Sequence, residues 1–294
     1  MVRRRAPDPW RRIVAAALGA AAAAVRRLDP LRGRRVVAGR AEGYRPFDPD
    51  VIAVDTAAEA AAIRALERAG VHGTLLSEEA GARPLGAARR RLEPVYAVMD
   101  PFDGSALYRQ GIRALWYSAL GLWGEDGRAR AAGLVDHVTG ELVLADADGV
   151  HRRAGPRARA VPARPAPTAA LDGASVEAYM MKPAFLYPTV TALRPVLERA
   201  RFVLPNGGPA GFVDVACGRI DVYIAWREAL TEVFSAVAIA QRAGCPVSGW
   251  DGAPLVFRPD IHALHTLVCS ANPRLHADVL RALGGVAPPG GVPA

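Results

Sequence analysis

The sequence predicts a layered fold of mixed sheets and helices, on three observations. An N-terminal apolar run repeats at helical spacing, the middle of the chain carries β-prone runs parted by turn residues, and the last third alternates strands with helices. With 294 residues, 51% of them apolar, the chain can fill one large core or two smaller ones.

Trp10, Ile13, Val14, Ala17, Leu18, Ala21, Val25 and Leu28 recur at helical spacing, and Arg26 and Arg27 close the run. Arginines ahead of it give a superficial likeness to a signal peptide, but the period is that of a packed helix and Ile13 to Val25 is too short to span a bilayer. A cytoplasmic protein is therefore expected. Residues 43–54, rich in Pro and Asp, read as a loop. Thr56-Ala57-Ala58-Glu59 has the pattern of a capping box, which puts Asp55 just ahead of a helix ending at Gly70. Thr74 to Leu76 is a short strand running into Ser77-Glu78-Glu79, where alternation points the two acids to opposite sides. Residues 81–91, polar and Arg-rich, read as a surface loop.

Chemistry concentrates in the next stretch. The β-prone run Tyr96 to Met99 ends in Asp100-Pro101-Phe102-Asp103-Gly104-Ser105, with Asp100 at the strand tip. Pro101 fixes one backbone angle and Gly104 admits conformations closed to other residues, so the turn can aim both carboxylates at one point. Two acids held that close repel unless a cation lies between them, and hard oxygen ligands suit Mg²⁺ or a similar ion. Gly104 and Ser105 then open a helix whose free N–H groups face the same point and could hold a phosphate. The same residues are also ordinary turn chemistry, as Asp55 and Glu232 are ordinary acids for a helix start.

Beyond the turn, Leu115 to Trp123 is a strand, and Ala131 to Val138 with Glu141 to Ala147 form a hairpin around Thr139-Gly140. Residues 151–167, dominated by Arg, Pro and Ala, read as an irregular connection that parts an N-terminal half, 1–165, from a C-terminal half, 166–294. Thr191 to Ala200 is a helix, Arg201 to Leu204 a strand, Asn206 to Pro209 a turn, Phe212 to Gly218 a helix and Asp221 to Ala225 a strand. Thr231 caps a last long helix that carries Glu232 in its first turn and stops at Gly244. The Gly- and Pro-rich tail from Gly284 is expected to be disordered.

A formal charge of +8 and a pI near 10 would ordinarily suggest a nucleic-acid or membrane partner. Lys182 is the only lysine, so 37 − 1 = 36 of the cations are Arg, scattered among Ala, Gly and Pro. That bias looks compositional, no basic run is interleaved with aromatics, and neither nucleic acid nor membrane is expected as a partner. Cys217, Cys245 and Cys269 are odd in number with no CxxC spacing, which points to free thiols in a reducing compartment and away from a zinc site.

Asp100 to Ser105, preceded by Ser77-Glu78-Glu79 and by Asp55 to Glu59, resembles the signature set of the inositol monophosphatase and fructose-1,6-bisphosphatase superfamily. Gly218-Arg219-Ile220-Asp221, Leu230-Thr231-Glu232 and Arg242-Ala243-Gly244 resemble its second signature, so the resemblance runs from the N-terminal helix to about Gly252. It implies an α+β fold, a layered α-β-α-β-α sandwich, and a Mg²⁺-dependent phosphatase holding two or three ions and acting on a small phosphorylated polyol, sugar or cyclitol. Glu78, Asp100 and the Phe102 carbonyl match ligands of a first metal, Asp100, Asp103 and Glu232 those of a second, and Asp55 with Glu78 a weaker third. Ser105 takes the place of a threonine that, with Glu78 and Asp55, activates the attacking water; Asp103, Gly104 and Ser105 adjoin the phosphate. Lys182, Tyr187, Asn206 and Arg227 are candidate substrate residues. Homodimers are frequent in that superfamily, so a dimer is an expectation.

Three departures stand out. Thr231-Glu232 replaces the usual Trp-Asp, Leu107 replaces an Asn near the helix start, and Ala225 falls where an inositol-binding glutamate stands. Two alternatives follow: a 3'-phosphoadenosine phosphate type of nucleotide phosphatase, and a degenerate, non-catalytic member acting as a binding subunit.

Overall fold

Residues 95–103 form a strand buried along nearly its whole length, and a strand with no polar face needs helices on both sides. The computed structural model, which describes residues 9–40, 49–86, 92–155 and 157–284, shows how the chain supplies them.

In the first half the order is α1 (Pro9–Arg27), a one-turn α2 (Pro30–Gly33), β1 (Val36–Gly39), β2 (Asp50–Ile52), α3 (Ala53–Arg68), β3 (Gly73–Ser77), β4 (Gly81–Leu85), β5 (Val95–Asp103), α4 (Ser105–Gln110), β6 (Tyr117–Gly124), β7 (Ala129–Asp136), β8 (Leu142–Asp146), β9 (Gly149–Arg153) and β10 (Val161–Pro162). Apart from a β1–β2 hairpin, these strands make an eight-stranded sheet in the order β10-β9-β8-β7-β6-β5-β3-β4. Only β3 and β5 run parallel, with Ser77 opposite Met99, so Glu78 leaves the sheet beside Asp100. In the second half come β11 (Ser175–Ala178), α5 (Pro183–Leu197), β12 (Phe202–Leu204), α6 (Pro209–Ala216), β13 (Val222–Ala229), α7 (Leu230–Phe234), α8 (Val237–Arg242), β14 (Val247–Gly249), β15 (Leu264–Ser270) and α9 (Pro273–Leu283). Their five strands order as β12-β11-β13-β15-β14.

Alternation along the strands divides the core. Leu75, Ala97 and Met99 point to one face of the large sheet, where Val14, Leu18, Ala58 and Leu66 of α1 and α3 cover them. Leu76 and Val98 point to the other face, against Phe212, Phe234 and Val237 of α6 to α8. Those helices also lie against the small sheet, whose far side is closed by α5 and α9. The result is the α+β, α-β-α-β-α sandwich that the resemblance implies.

Several boundaries differ from the sequence reading. The helix expected to start at Thr56 starts at Ala53, because Asp55 Oδ2 accepts the Ile52 N–H (2.9 Å) and does the capping work assigned to Thr56 and Glu59. Glu59 turns inward and accepts from Ser77 Oγ (2.5 Å) and the Ala80 N–H (2.9 Å). The loop expected over 81–91 holds β4, paired with β3, and the connection over 151–167 holds most of β9 and all of β10; residues 87–91 lie outside the described residues. Asp100 is not the tip of its strand, since β5 runs on to Asp103 through an irregularity in its pairing with β6. Thr231 does not cap: Ala229 stands at that position, with Glu232 Oε2 accepting its N–H (3.1 Å), and the helix expected to be continuous to Gly244 is broken into α7 and α8. The second-half helix foreseen at Thr191 begins at Pro183. Residues 43–48 of the expected loop and tail residues 285–294 also lie outside the described residues.

The approach of α7 to the large sheet is fixed by an atom-scale fit. Trp123 Nε1 on β6 donates to the Phe234 carbonyl (2.7 Å), and a Cβ added to Gly121 would lie 2.3 Å from that same oxygen. Gly121→Ala should therefore lower stability by about 3 kcal/mol through overpacking. Urea unfolding measures it, and a loss under about 0.5 kcal/mol, the range of an ordinary surface change, would show that α7 is not held at this distance.

Candidate active site

Where β5 ends, a first polar group gathers on the side of α3. Arg40 leaves β1 with its N–H on the Pro49 carbonyl (2.8 Å). Its side chain is only 2% exposed, with Nη2 2.8 Å from Glu78 Oε1 and 2.5 Å from Glu79 Oε1, and Nη1 on the Asp50 carbonyl (3.2 Å). The Glu78 N–H donates to the Met99 carbonyl (3.2 Å), which seats this residue next to Asp100. Asp55 is fully buried in the first turn of α3. Its Oδ1 accepts from Ser105 Oγ (2.7 Å), and the same hydroxyl lies 3.1 Å from the Phe102 carbonyl.

Desolvation governs the electrostatics here. Burial raises the Asp55 carboxyl to about 7; the Ser105 and Ile52 hydrogen bonds oppose the shift and the Glu78 charge adds to it. Burial likewise raises Glu79 to about 8, with Glu78 reinforcing and Arg40 opposing.

A second group lies across Asp103. Gly208, at the start of α6, is so close that a Cβ on it would sit 3.1 Å from Asp103 Oδ2. Both oxygens of Glu228 lie within reach of the Gly208 N–H (3.2 and 3.1 Å). A bulge in β13 between Ala225 and Glu228, with Arg227 at φ +55°, sends Arg227 outward and Glu228 inward. Asn206 Nδ2 donates to Glu177 Oε1 (2.9 Å), and burial, with Asp214, Glu228 and Asp103 adding their charge, holds the Glu177 carboxyl well above the ordinary range.

The sequence-derived candidates thus fall into different surroundings. Asp55, Phe102 and Ser105 meet directly, the Glu78 charge acts on Asp55, and α7, which carries Glu232, packs against β5. Among the described residues, however, no three His, Cys, Asp or Glu side chains stand together as a metal-holding group. Asn206 is engaged with Glu177, the Arg227 N–H is on Thr266 Oγ1 (3.1 Å), Tyr187 is 71% exposed on α5, and Lys182 stands at the head of that helix. Arg40, Glu177 and Glu228 were not singled out by the sequence. Glu177 and Glu228 carried a signal, as single acids in largely apolar stretches. Arg40 carried none, being one arginine among 36.

In its chemistry the donor set Glu78, Asp100, Asp103 and Glu232, all hard carboxylates, fits a small divalent cation. In their present positions Glu78 is held by Arg40, and Glu232 accepts from its own helix start.

No family model matches the sequence, and no curated protein matches it. Solved structures do. An inositol monophosphatase from Anabaena (Nostoc) is 23% identical, with a TM-score of 0.71 over 95% of this chain and 96% of that one. The extragenic suppressor protein SuhB from Bartonella henselae is 17% identical with a TM-score of 0.74, over 94% and 98%. Mycobacterium tuberculosis SuhB is 22% identical with a TM-score of 0.70, over 97% and 99%. The chain has the inositol monophosphatase fold over nearly its whole length. Among the described residues no helix is long and apolar enough to cross a membrane.

The sign of the Asp55 shift makes a prediction. A carboxyl raised from 3.8 to about 7 on folding contributes stability that is complete below about pH 4 and is lost as pH rises through about 7. With divalent ions chelated, Asp55→Asn should gain on the unsubstituted protein by about 2 kcal/mol more at pH 8 than at pH 5. Urea unfolding at the two pH values measures the difference; an equal effect at both would remove the buried charge from the account.

Proposed function

We propose that this chain is a magnesium-dependent phosphatase of the inositol monophosphatase superfamily, hydrolysing a small phosphorylated polyol, sugar or cyclitol. The observation that carries the reading is the Ser105 hydroxyl, hydrogen-bonded to buried Asp55 and opening the turn of helix that follows Asp100-Pro101-Phe102-Asp103. Support comes from the fold and from one structural neighbour, an inositol monophosphatase solved with inositol monophosphate bound.

Glu78, Asp100, Asp103 and Glu232, with the Phe102 carbonyl, would hold magnesium, which when bound supplies positive charge against the phosphoryl oxygens and acidifies a coordinated water. The chain's own residues move the proton. Ser105 Oγ can take a proton from an attacking water while passing its own to Asp55 Oδ1, 2.7 Å away. A carboxyl whose burial raises it to about 7 is matched to that task near neutral pH, a carboxylate at the ordinary value being too weak a base. The N–H groups of Gly104 and Ser105 are assigned to the phosphate. Glu228, on the Gly208 N–H beside Asp103, is the acid we assign to the rest of the substrate.

A second reading, a binding subunit without turnover, is favoured by one observation: Glu78 and Glu232 are both engaged within the protein, by Arg40 and by the Ala229 N–H. Phosphate release from a panel of sugar, cyclitol and nucleotide monophosphates, with and without Mg²⁺, separates the two. Under the phosphatase reading Asp100→Asn should abolish Mg²⁺-dependent release and Ser105→Ala should lower kcat about 100-fold, in the range of a general acid–base contribution. Undiminished turnover in Asp100→Asn would overturn it, and metal and phosphate binding with no turnover on any ester would favour the binding subunit. Preference for a 3'-phosphorylated nucleotide over every sugar and cyclitol ester would instead assign the nucleotide phosphatase.

A further inference from the structure

Glu78 and Glu79 leave the end of β3 as adjacent, nearly buried acids, and one buried guanidinium spans them, 2.8 and 2.5 Å from the nearer oxygens. Arg40 is not a surface side chain lying over the site. The β1–β2 hairpin delivers it, the Asp50 carbonyl holds its second nitrogen, and it is 2% exposed. A guanidinium is permanently charged and a strong donor to carboxylates, so at this pair it offsets part of the repulsion that a metal cation would otherwise relieve. Glu78 is one of the carboxylates assigned to metal.

We propose that Arg40 is a resident cation of the Glu78–Glu79 pair and competes with a divalent ion for Glu78, so that this chain demands more magnesium than its carboxylates alone would. This rests on the phosphatase reading for the identity of the ion. Coulomb's law sets the direction: two like charges at a few ångströms, with little water between them, oppose each other's binding, and removal of one strengthens the hold on the other. A lysine in the same place keeps the charge on a shorter, more flexible side chain and has no second nitrogen for the Asp50 carbonyl to hold, and should compete less well than arginine.

The test is the magnesium concentration giving half of the maximal thermal stabilisation, read together with isothermal titration, for the whole chain and for Arg40→Gln and Arg40→Lys. Half-saturation should fall about 10-fold in Arg40→Gln and a few-fold in Arg40→Lys. An unchanged or raised value in both would overturn the proposal and make Arg40 a residue that positions Glu78. Where Arg40→Gln does not fold, Arg40→Lys decides by the same criterion. No binding of magnesium by any of the three overturns this proposal and the phosphatase reading together. Tight binding with the expected order but no phosphate release leaves the competition standing and removes the phosphatase reading alone.

Discussion

Desolvation of acidic side chains at the end of β5 is the constraint around which the rest of the molecule is arranged. A carboxylate stripped of water costs several kcal/mol unless a donor or a cation meets it. Several buried acids here are met by named partners: Asp55 by Ser105 and the Ile52 N–H, Glu78 and Glu79 by Arg40, Glu59 by Ser77 and the Ala80 N–H, Glu228 by the Gly208 N–H, Glu177 by Asn206. Shifts of Asp55 and Glu79 to about 7 and 8 show that these partners compensate only in part. Apolar residues of similar volume would cost less, and it is this cost that the proposed phosphatase chemistry accounts for.

The layers explain how such a site is held. Because β5 and its neighbours are covered on both faces, their ends cannot shift without disturbing two cores, one with α1 and α3, the other with α6 to α8. Asp55 is brought by the outer helix layer, Glu78 and Asp100 by the sheet, and Gly208 and Glu232 by the middle helix layer. The Trp123–Phe234 hydrogen bond and the bare backbone of Gly121 set the distance between the last two of these layers. Rigid support on three sides is what a site needs when misplacement of about 1 Å can cost 100-fold in rate.

Much of this was legible in the sequence, and what was not has physical reasons. The periodicity of α1, the β5 strand with its Asp-Pro turn and the hairpin around Gly140 depend on local patterns, and they appear near where those patterns put them. Helix starts were misread at Thr56 and Thr231 because an acid at the third helical position can cap its own helix from within, and in both cases that acid, Asp55 or Glu232, is also a candidate site residue. β4 was missed because an exposed edge strand carries no apolar alternation to betray it; three of its five residues face solvent. Arg40 was invisible since its importance lies in a pairing across 38 residues of chain, and its residue type is the commonest cation in the protein.

The bulge in β13 places local strain beside the cluster of acids. A regular strand would have kept its register with β15 from Ala225 through to Glu228, with φ negative throughout. Instead Arg227 adopts φ +55°, an arrangement costing about 1 kcal/mol or more for a residue with a side chain, and the break in register puts Glu228 on the Gly208 N–H beside Asp103. Nothing in the packing of β13 against β15 requires this, since pairing resumes at once with Glu228 opposite His265. Strain retained at one residue, with the effect of turning an acid inward at the edge of a cluster of acids, is best accounted for by what that acid meets. Under the phosphatase reading proposed above, the inner end of β13, and not Ala225 within it, is the part of the chain where substrate preference would be sought.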